Sequence, residues 1–178
     1  VVGKGVATSD MAKEAALKAI ANAGLTPGDI DFLVVGTTTP DMMFPSTAAL
    51  VQHKIGATAC WGFDLAAACS GFTFSLGVAS QLVSTGKHQR ALVIGADAMS
   101  TIIDYTDRTT CVLFGDGAGA VIVEPAVEEG LEIIGFENEI DGSGGPALQM
   151  PGGGSLNPAS HETVEKRMHF VKQDGQAV

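Results

Sequence analysis

The chain has 178 residues, 46% of them hydrophobic, which suits one domain with a sizeable core. Its 10 basic and 20 acidic residues give a net charge of −10, the opposite of a nucleic-acid footprint. No apolar run approaches the ~20 residues of a membrane helix, and no charged-then-apolar leader is seen, so the expected location is cytoplasmic. Three cysteines (Cys60, Cys69 and Cys111) cannot all pair and lack any CxxC spacing, so they read as reduced thiols with no metal site. The sequence opens on Val1 and closes on Gly175-Gln176-Ala177-Val178, where a new element would begin. The expectation is a piece of a longer protein.

In chain order, Thr8 or Ser9 is expected to cap a helix with Met11, Ala15, Ala16, Ala19, Ile20 and Ala23 at helical spacing, stopped by Gly24. Thr26-Pro27-Gly28-Asp29 then turns the chain into an apolar run over 31–38 that suits a strand buried on both faces. A loop over 39–45 precedes a second helix, capped by Ser46 and ended by Gly56. Residues 60–65 form a short strand, 70–86 a small-residue helix, and 91–96 another apolar strand. Further strands are expected at 112–114, 120–124 and 131–139, and a last one at 168–171. Residues 141–160, with Gly142, Gly144, Gly145 and Gly152-Gly153-Gly154, read as a long loop. Strands alternating with helices imply an α/β fold around a mixed, mostly parallel sheet.

The stretch richest in chemical information is Asp64-Leu65-Ala66-Ala67-Ala68-Cys69-Ser70-Gly71-Phe72, where a strand stops, small residues pass and a helix starts. A helix N-terminus carries unpaired N–H groups and a partial positive charge, which favour thiolate over thiol. The small neighbours leave room for a substrate. Thiolate attack on a thioester gives another thioester, so the acyl group stays activated. Spacing alone leaves two readings of Cys69 open, a nucleophile or a buried structural thiol. Cys60, beside Trp61 in a strand, and Cys111, in a Thr-Cys-Val-Leu strand, lack the helix-start setting and read as structural.

This elbow resembles that of the ketoacyl-acyl carrier protein synthase III family, in the thiolase superfamily. The likeness continues in order through Thr37-Thr38, Phe44-Pro45-Ser46, Thr106-Asp107-Arg108, Leu113-Phe114-Gly115-Asp116-Gly117-Ala118-Gly119-Ala120 and His169-Phe170-Val171-Lys172-Gln173-Asp174-Gly175-Gln176. It covers essentially the whole chain. It implies the first half of a thiolase-like layered α/β/α/β/α fold, lacking that half's opening strand, with Cys69 as the acyl-accepting nucleophile. The implied reaction takes an acyl group from acyl-coenzyme A onto Cys69 and condenses it with malonyl-acyl carrier protein, releasing carbon dioxide. Coenzyme A enters as a substrate thioester, and no cofactor is implied.

Other residues take their roles only from that resemblance. By itself Asp107-Arg108 reads as a solvated turn; the resemblance puts Arg108 at the channel mouth, against the adenine end of coenzyme A. A planar guanidinium can stack on a purine and still meet phosphate. Trp61 is expected inside the fold and is not the adenine-stacking tryptophan. Phe44, among Met42, Met43 and Pro45, reads as a core plug or an interface. The resemblance makes it a residue that crosses the two-fold axis of a homodimer to line the partner's acyl pocket. Leu148 and Met150 are matched more loosely to the same pocket, and Thr38 and Phe114 to the substrate channel. Gly115-Asp116-Gly117-Ala118-Gly119 is followed by strand-like residues rather than a helix, so it is not a phosphate loop.

The family's decarboxylating His and Asn match none of His53, His88, His161 and His169, nor Asn22, Asn138 and Asn157. They belong to the second half of the family fold. Two alternatives follow: a polyketide-, quinolone- or hydrocarbon-forming relative with the same elbow, or a non-catalytic dimerising fragment. An acidic carrier protein calls for a basic docking patch, which this acidic half does not advertise.

Overall fold

A computed structural model of the chain describes residues 1–127 and 132–178. The fold divides into two compact units, Val2–Ala98 with Asp116–Glu137, and Val1 with Met99–Gly115 and Asn138–Val178.

The first unit is built on a four-stranded sheet. Helix α1 (Thr8–Asn22) leads to β1 (Phe32–Gly36), then α2 (Thr47–Ile55), β2 (Trp61–Leu65), α3 (Gly71–Ser84), β3 (Ala91–Ala98) and β4 (Asp116–Val123). The strand order is β2-β1-β3-β4; β1 runs parallel to β2 and β3, and β4 lies antiparallel to β3. The sheet is therefore mixed and mostly parallel, as its apolar runs imply. Strand β1 is buried over its whole length. Its alternation splits the core in two. Leu33, Val35, Leu92 and Ile94 pack with Ala12, Ala16 and Ile20 of α1 and with Val51 and Ile55 of α2. Phe32, Val34 and Val93 pack with Ala79 and Val83 of α3.

The helix caps only partly follow local sequence. Ser46 caps α2 by accepting from the Ala49 N–H at 3.2 Å, and Gly56 closes it in the left-handed region at φ 78°. Helix α1 begins differently from expectation. Thr8 and Ser9 lie inside its first turn and are buried, with Thr8 Oγ1 donating to the Thr39 carbonyl. The cap is carboxylate: Asp10 accepts from Ala7 N–H at 2.9 Å, and Asp41 accepts from both Ser9 N–H and its hydroxyl. Negative charge at a helix N-terminus is favoured over a neutral hydroxyl, and Asp41 arrives from a remote loop.

Two further expectations are corrected. The glycine-rich Asp116-Gly117-Ala118-Gly119 is itself strand, the first half of β4, because Gly95 to Ala98 of β3 supply its backbone partners. Trp61 is not inside the fold: it is 47% exposed on edge strand β2, stacked on Phe32 with ring centroids 5.4 Å apart.

The second unit is mostly turns. It holds a 3-10 helix at Met99–Thr101, another at Gly142–Ala147, a two-residue ladder of β5 (Leu148–Gln149) with β6 (Lys172–Gln173), and helix α4 (His161–Glu165). The strand expected at 112–114 is turn instead, closed by Cys111 N–H and Leu113 N–H donating to Asp107 and Thr110 carbonyls. The expected last strand starts later, at Lys172. Of the strand expected at 131–139, residue 131 lies outside the described residues, and 132–139 form no strand. Short apolar runs carry no period of their own, so propensity alone decides them wrongly. Among the described residues, no helix is long and apolar enough to cross a membrane.

A steric constraint fixes the sheet against α3. A β-carbon on Gly36 would stand 2.7 Å from the Gly71 carbonyl carbon and 2.8 Å from its oxygen. A β-carbon on Gly119 would meet nothing within 4 Å. Gly36→Ala is expected to destabilise the fold by about 1–3 kcal/mol, and Gly119→Ala to be near neutral, read as denaturation midpoints. Equal shifts for the two would show that the close approach is not rigid.

Candidate active site

Strand β2 ends at Leu65, a 3-10 turn runs over Ala68–Ser70, and α3 starts at Gly71. Cys69 is the middle residue of that turn and is exposed. Gly71 tucks under it against Gly36, and Phe72 packs beside Gly95, whose added β-carbon would sit 3.2 Å from Phe72 Cβ. Ala68, just before the cysteine, has φ +46°, the left-handed region where a β-carbon costs roughly 1–2 kcal/mol. Such strain persists only where packing imposes it, and it gathers at functional sites. The elbow therefore holds the thiol out on a bent, rigid turn.

The carboxyl ends of neighbouring strands converge on this edge, where open α/β sheets place their ligands. Thr37, Thr38 and Thr39 follow β1 and surround one oxygen of Asp97, in β3. That oxygen accepts from Thr38 N–H at 2.8 Å and Thr39 Oγ1 at 2.8 Å, with Thr37 Oγ1, Thr38 Oγ1 and Thr39 N–H each at 3.1 Å. Thr38 is exposed, but its donors are spent on Asp97. Asp64, one residue before the end of β2, accepts from the Thr47 and Ala48 N–H groups at 2.7 Å each. It ties the strand that leads to Cys69 to the start of α2, which the Phe44 loop enters. Phe44 itself is 83% exposed, as is Met43.

The other two thiols are placed differently. Cys60 is buried just ahead of β2, and burial, with the charge of Asp31 adding to it, pushes its thiol up to about 12. Cys111 is half-buried in a turn rather than in the expected strand.

In the second unit, Arg108 is exposed at the tip of a turn held by Asp107, which accepts from the Thr109 N–H and the Thr109 and Thr110 hydroxyls. Among the described residues, its guanidinium meets no carboxylate, so its charge is available. Phe114 is half-buried, and Leu148 and Met150, in and after β5, are partly exposed. Thr38, Phe44 and Cys69 thus belong to one unit, and Arg108, Phe114, Leu148 and Met150 to the other. His169 is engaged locally, 2.9 Å from Thr163 Oγ1.

Sequence reading missed Asp64, Asp97, Asp104 and Arg167. For Asp64 and Asp97 a signal existed: each is a lone carboxylate inside an otherwise apolar strand, which needs donors to be tolerated. Iodoacetamide at about pH 8 should modify Cys69 and spare Cys60, because only a thiolate in reach of solvent reacts. Peptide mapping that finds Cys60 modified in the folded chain would contradict the burial described.

Four likenesses to known proteins bear on this site. Residues 63–142 match the family model described as 3-oxoacyl-(acyl-carrier-protein) synthase III. The chain is 55% identical over 179 residues to the beta-ketoacyl-acyl-carrier-protein synthase III of Koribacter versatilis, covering 100% of this chain and 54% of that protein. It superimposes on a crystal structure of a 3-oxoacyl-(acyl-carrier-protein) synthase III with a TM-score of 0.90 and 30% identity, over 100% of this chain and 56% of that one. A priming beta-ketosynthase from a polyketide biosynthetic pathway matches with a TM-score of 0.83 and 32% identity, over 99% and 51%. The chain spans about half the length of the relatives it matches, and its fold is that of the first half of the thiolase-like architecture.

Proposed function

The chain belongs to the 3-oxoacyl-(acyl-carrier-protein) synthase III family, and from that premise we propose that it is the nucleophile-bearing half of a condensing enzyme that starts fatty-acid chains. The observation that carries this reading is the exposed Cys69 on its strained elbow, one residue after Ala68 at φ +46°. In the first step the Cys69 thiolate attacks the carbonyl carbon of acyl-coenzyme A. The carbon–sulfur bond to coenzyme A breaks, its thiolate takes the electron pair, and the acyl group remains as a thioester on Cys69. Malonyl-acyl carrier protein then loses carbon dioxide, and the enolate carbon attacks the carbonyl of that thioester. The carbon–sulfur bond to Cys69 breaks, its thiolate takes the electron pair, and the β-ketoacyl product leaves on the carrier protein.

Decarboxylation develops charge on an enolate oxygen, which needs positioned donors in a dry site. In this reading the His and Asn donors belong to the other half of the enzyme, and the isolated chain does not complete the condensation. Arg108, which meets no carboxylate among the described residues, meets the nucleotide of coenzyme A; Phe114 and Thr38 border the channel. Phe44 crosses to a second subunit, joined more loosely by Leu148 and Met150 at the acyl pocket. The acyl donor and acyl carrier protein are the partners, and coenzyme A is a substrate rather than a cofactor. A second reading, a polyketide-priming synthase on other acyl groups, is favoured by the likeness to the priming beta-ketosynthase.

Radiolabelled acetyl-coenzyme A should leave one labelled peptide, containing Cys69, and this chain should release carbon dioxide from malonyl-acyl carrier protein only when the remaining half is added. Label on Cys60 or Cys111 would sink the nucleophile assignment, and turnover by the chain alone would sink the divided site. The acyl group accepted fastest by the complete enzyme separates fatty-acid from polyketide priming. In sedimentation of the complete enzyme, Phe44→Ala should shift the balance from dimer to monomer; an unchanged dimer removes Phe44 from the interface.

A further inference from the structure

Helix α4 ends at Glu165, and two residues later Arg167 stands at φ +53°. That position, just past a helix C-terminus, is where glycine is usually found, because a β-carbon is strained there. An arginine in its place implies that the side chain is needed. Its guanidinium grips Asp104 through one edge with two nitrogens, Nη2 at 2.5 Å from Oδ1 and Nε at 3.0 Å from Oδ2, and Nη2 also donates to Thr106 Oγ1 at 3.2 Å. The Phe170 ring lies beneath, 5.1 Å from the guanidinium carbon. Asp104 is 5% exposed, and its hydrogen bonds from Arg167 and Thr106 hold its carboxyl well below the usual range.

Asp104 is also the foot of the turn that carries Arg108. Its Oδ1 accepts from the N–H and hydroxyl of Thr106, and its carbonyl accepts from Asp107 N–H at 3.0 Å. We propose that Arg167 is a positioning residue for the coenzyme A donor: by gripping Asp104 and Thr106 it fixes the turn that presents Arg108 to the nucleotide end of that donor. The inference rests on the reading of Arg108 as a coenzyme A contact. In this role Arg167 acts through the turn, because Nε and Nη2 are committed to Asp104 and Thr106.

The test uses the complete enzyme and two donors, acetyl-coenzyme A and acetyl-pantetheine, which lacks the nucleotide. Arg167→Gly removes the grip and relieves the backbone strain together; Arg167→Lys keeps the charge but loses the bidentate geometry. Arg167→Gly should raise KM for acetyl-coenzyme A about tenfold, leaving kcat and the KM for acetyl-pantetheine unchanged, with Arg167→Lys intermediate. In an Arg108→Ala background, Arg167→Gly should add nothing. Equal losses for both donors, or no loss, while Arg108→Ala remains selective for acetyl-coenzyme A, would overturn the role of Arg167 alone. If Arg108→Ala affects both donors equally, the reading of Arg108 falls and the proposal with it.

Discussion

The backbones of β1 and α3 meet at Gly36 and Gly71, close enough that one β-carbon on Gly36 would come within 2.7 Å of a carbonyl carbon. The rest of the candidate site depends on that approach. It brings the first turn of α3 down onto the end of the sheet, so the chain leaving β2 has only five residues, 66–70, in which to reach the helix. A connection that short must bend sharply. The bend falls on Ala68 and Cys69 and leaves the thiol standing out from the turn. A larger residue at 36 would lift α3 and relax the bend, so the left-handed Ala68 and the glycine contact are two ends of one constraint.

Carboxylates do the remaining joining. Asp64 ties β2 to the start of α2, Asp97 gathers the three threonines after β1, and Asp41 seats the start of α1. In the second unit, Asp104 and Asp107 organise the turn around Arg108. Each accepts backbone N–H groups that would otherwise need water, and a charged acceptor makes a stronger bond than a neutral one. Part of the chain's acidity is therefore internal wiring, and the net charge of −10 overstates how negative a surface it offers to partners.

What the sequence made legible was whatever depends on near neighbours. Ser46 and Gly56 frame α2 because a capping hydroxyl and a left-handed glycine act within one turn. The apolar runs of β1 and β3 are buried on both faces, and the small-residue elbow at Cys69 could be read from its own stretch. The start of α1 could not, because Asp41 lies 32 residues beyond Ser9. Nor could the first half of β4, where glycines of low strand propensity pair because β3 offers them partners. Arg167 and Asp104 lie 63 residues apart, and nothing local to either announces the pair.

The three cysteines show how little of reactivity resides in residue type. Cys60 lies in the same chemical class as Cys69 and only nine positions away, yet burial pushes its thiol to about 12, and it donates to the Trp61 carbonyl at 3.3 Å. At neutral pH it is a small apolar group filling the end of the α1–α2 core. Cys69 differs in being exposed, and Ala66, Ala68 and Ser70 around it are exposed and small. Thioester exchange asks for a thiolate in reach and space for an incoming carbonyl, since the bond broken and the bond formed are of one kind. Condensation asks in addition for groups that steady an enolate. A fold can therefore supply the first with one elbow and leave the second to other residues, and the proposed division of chemistry follows from that difference in demand.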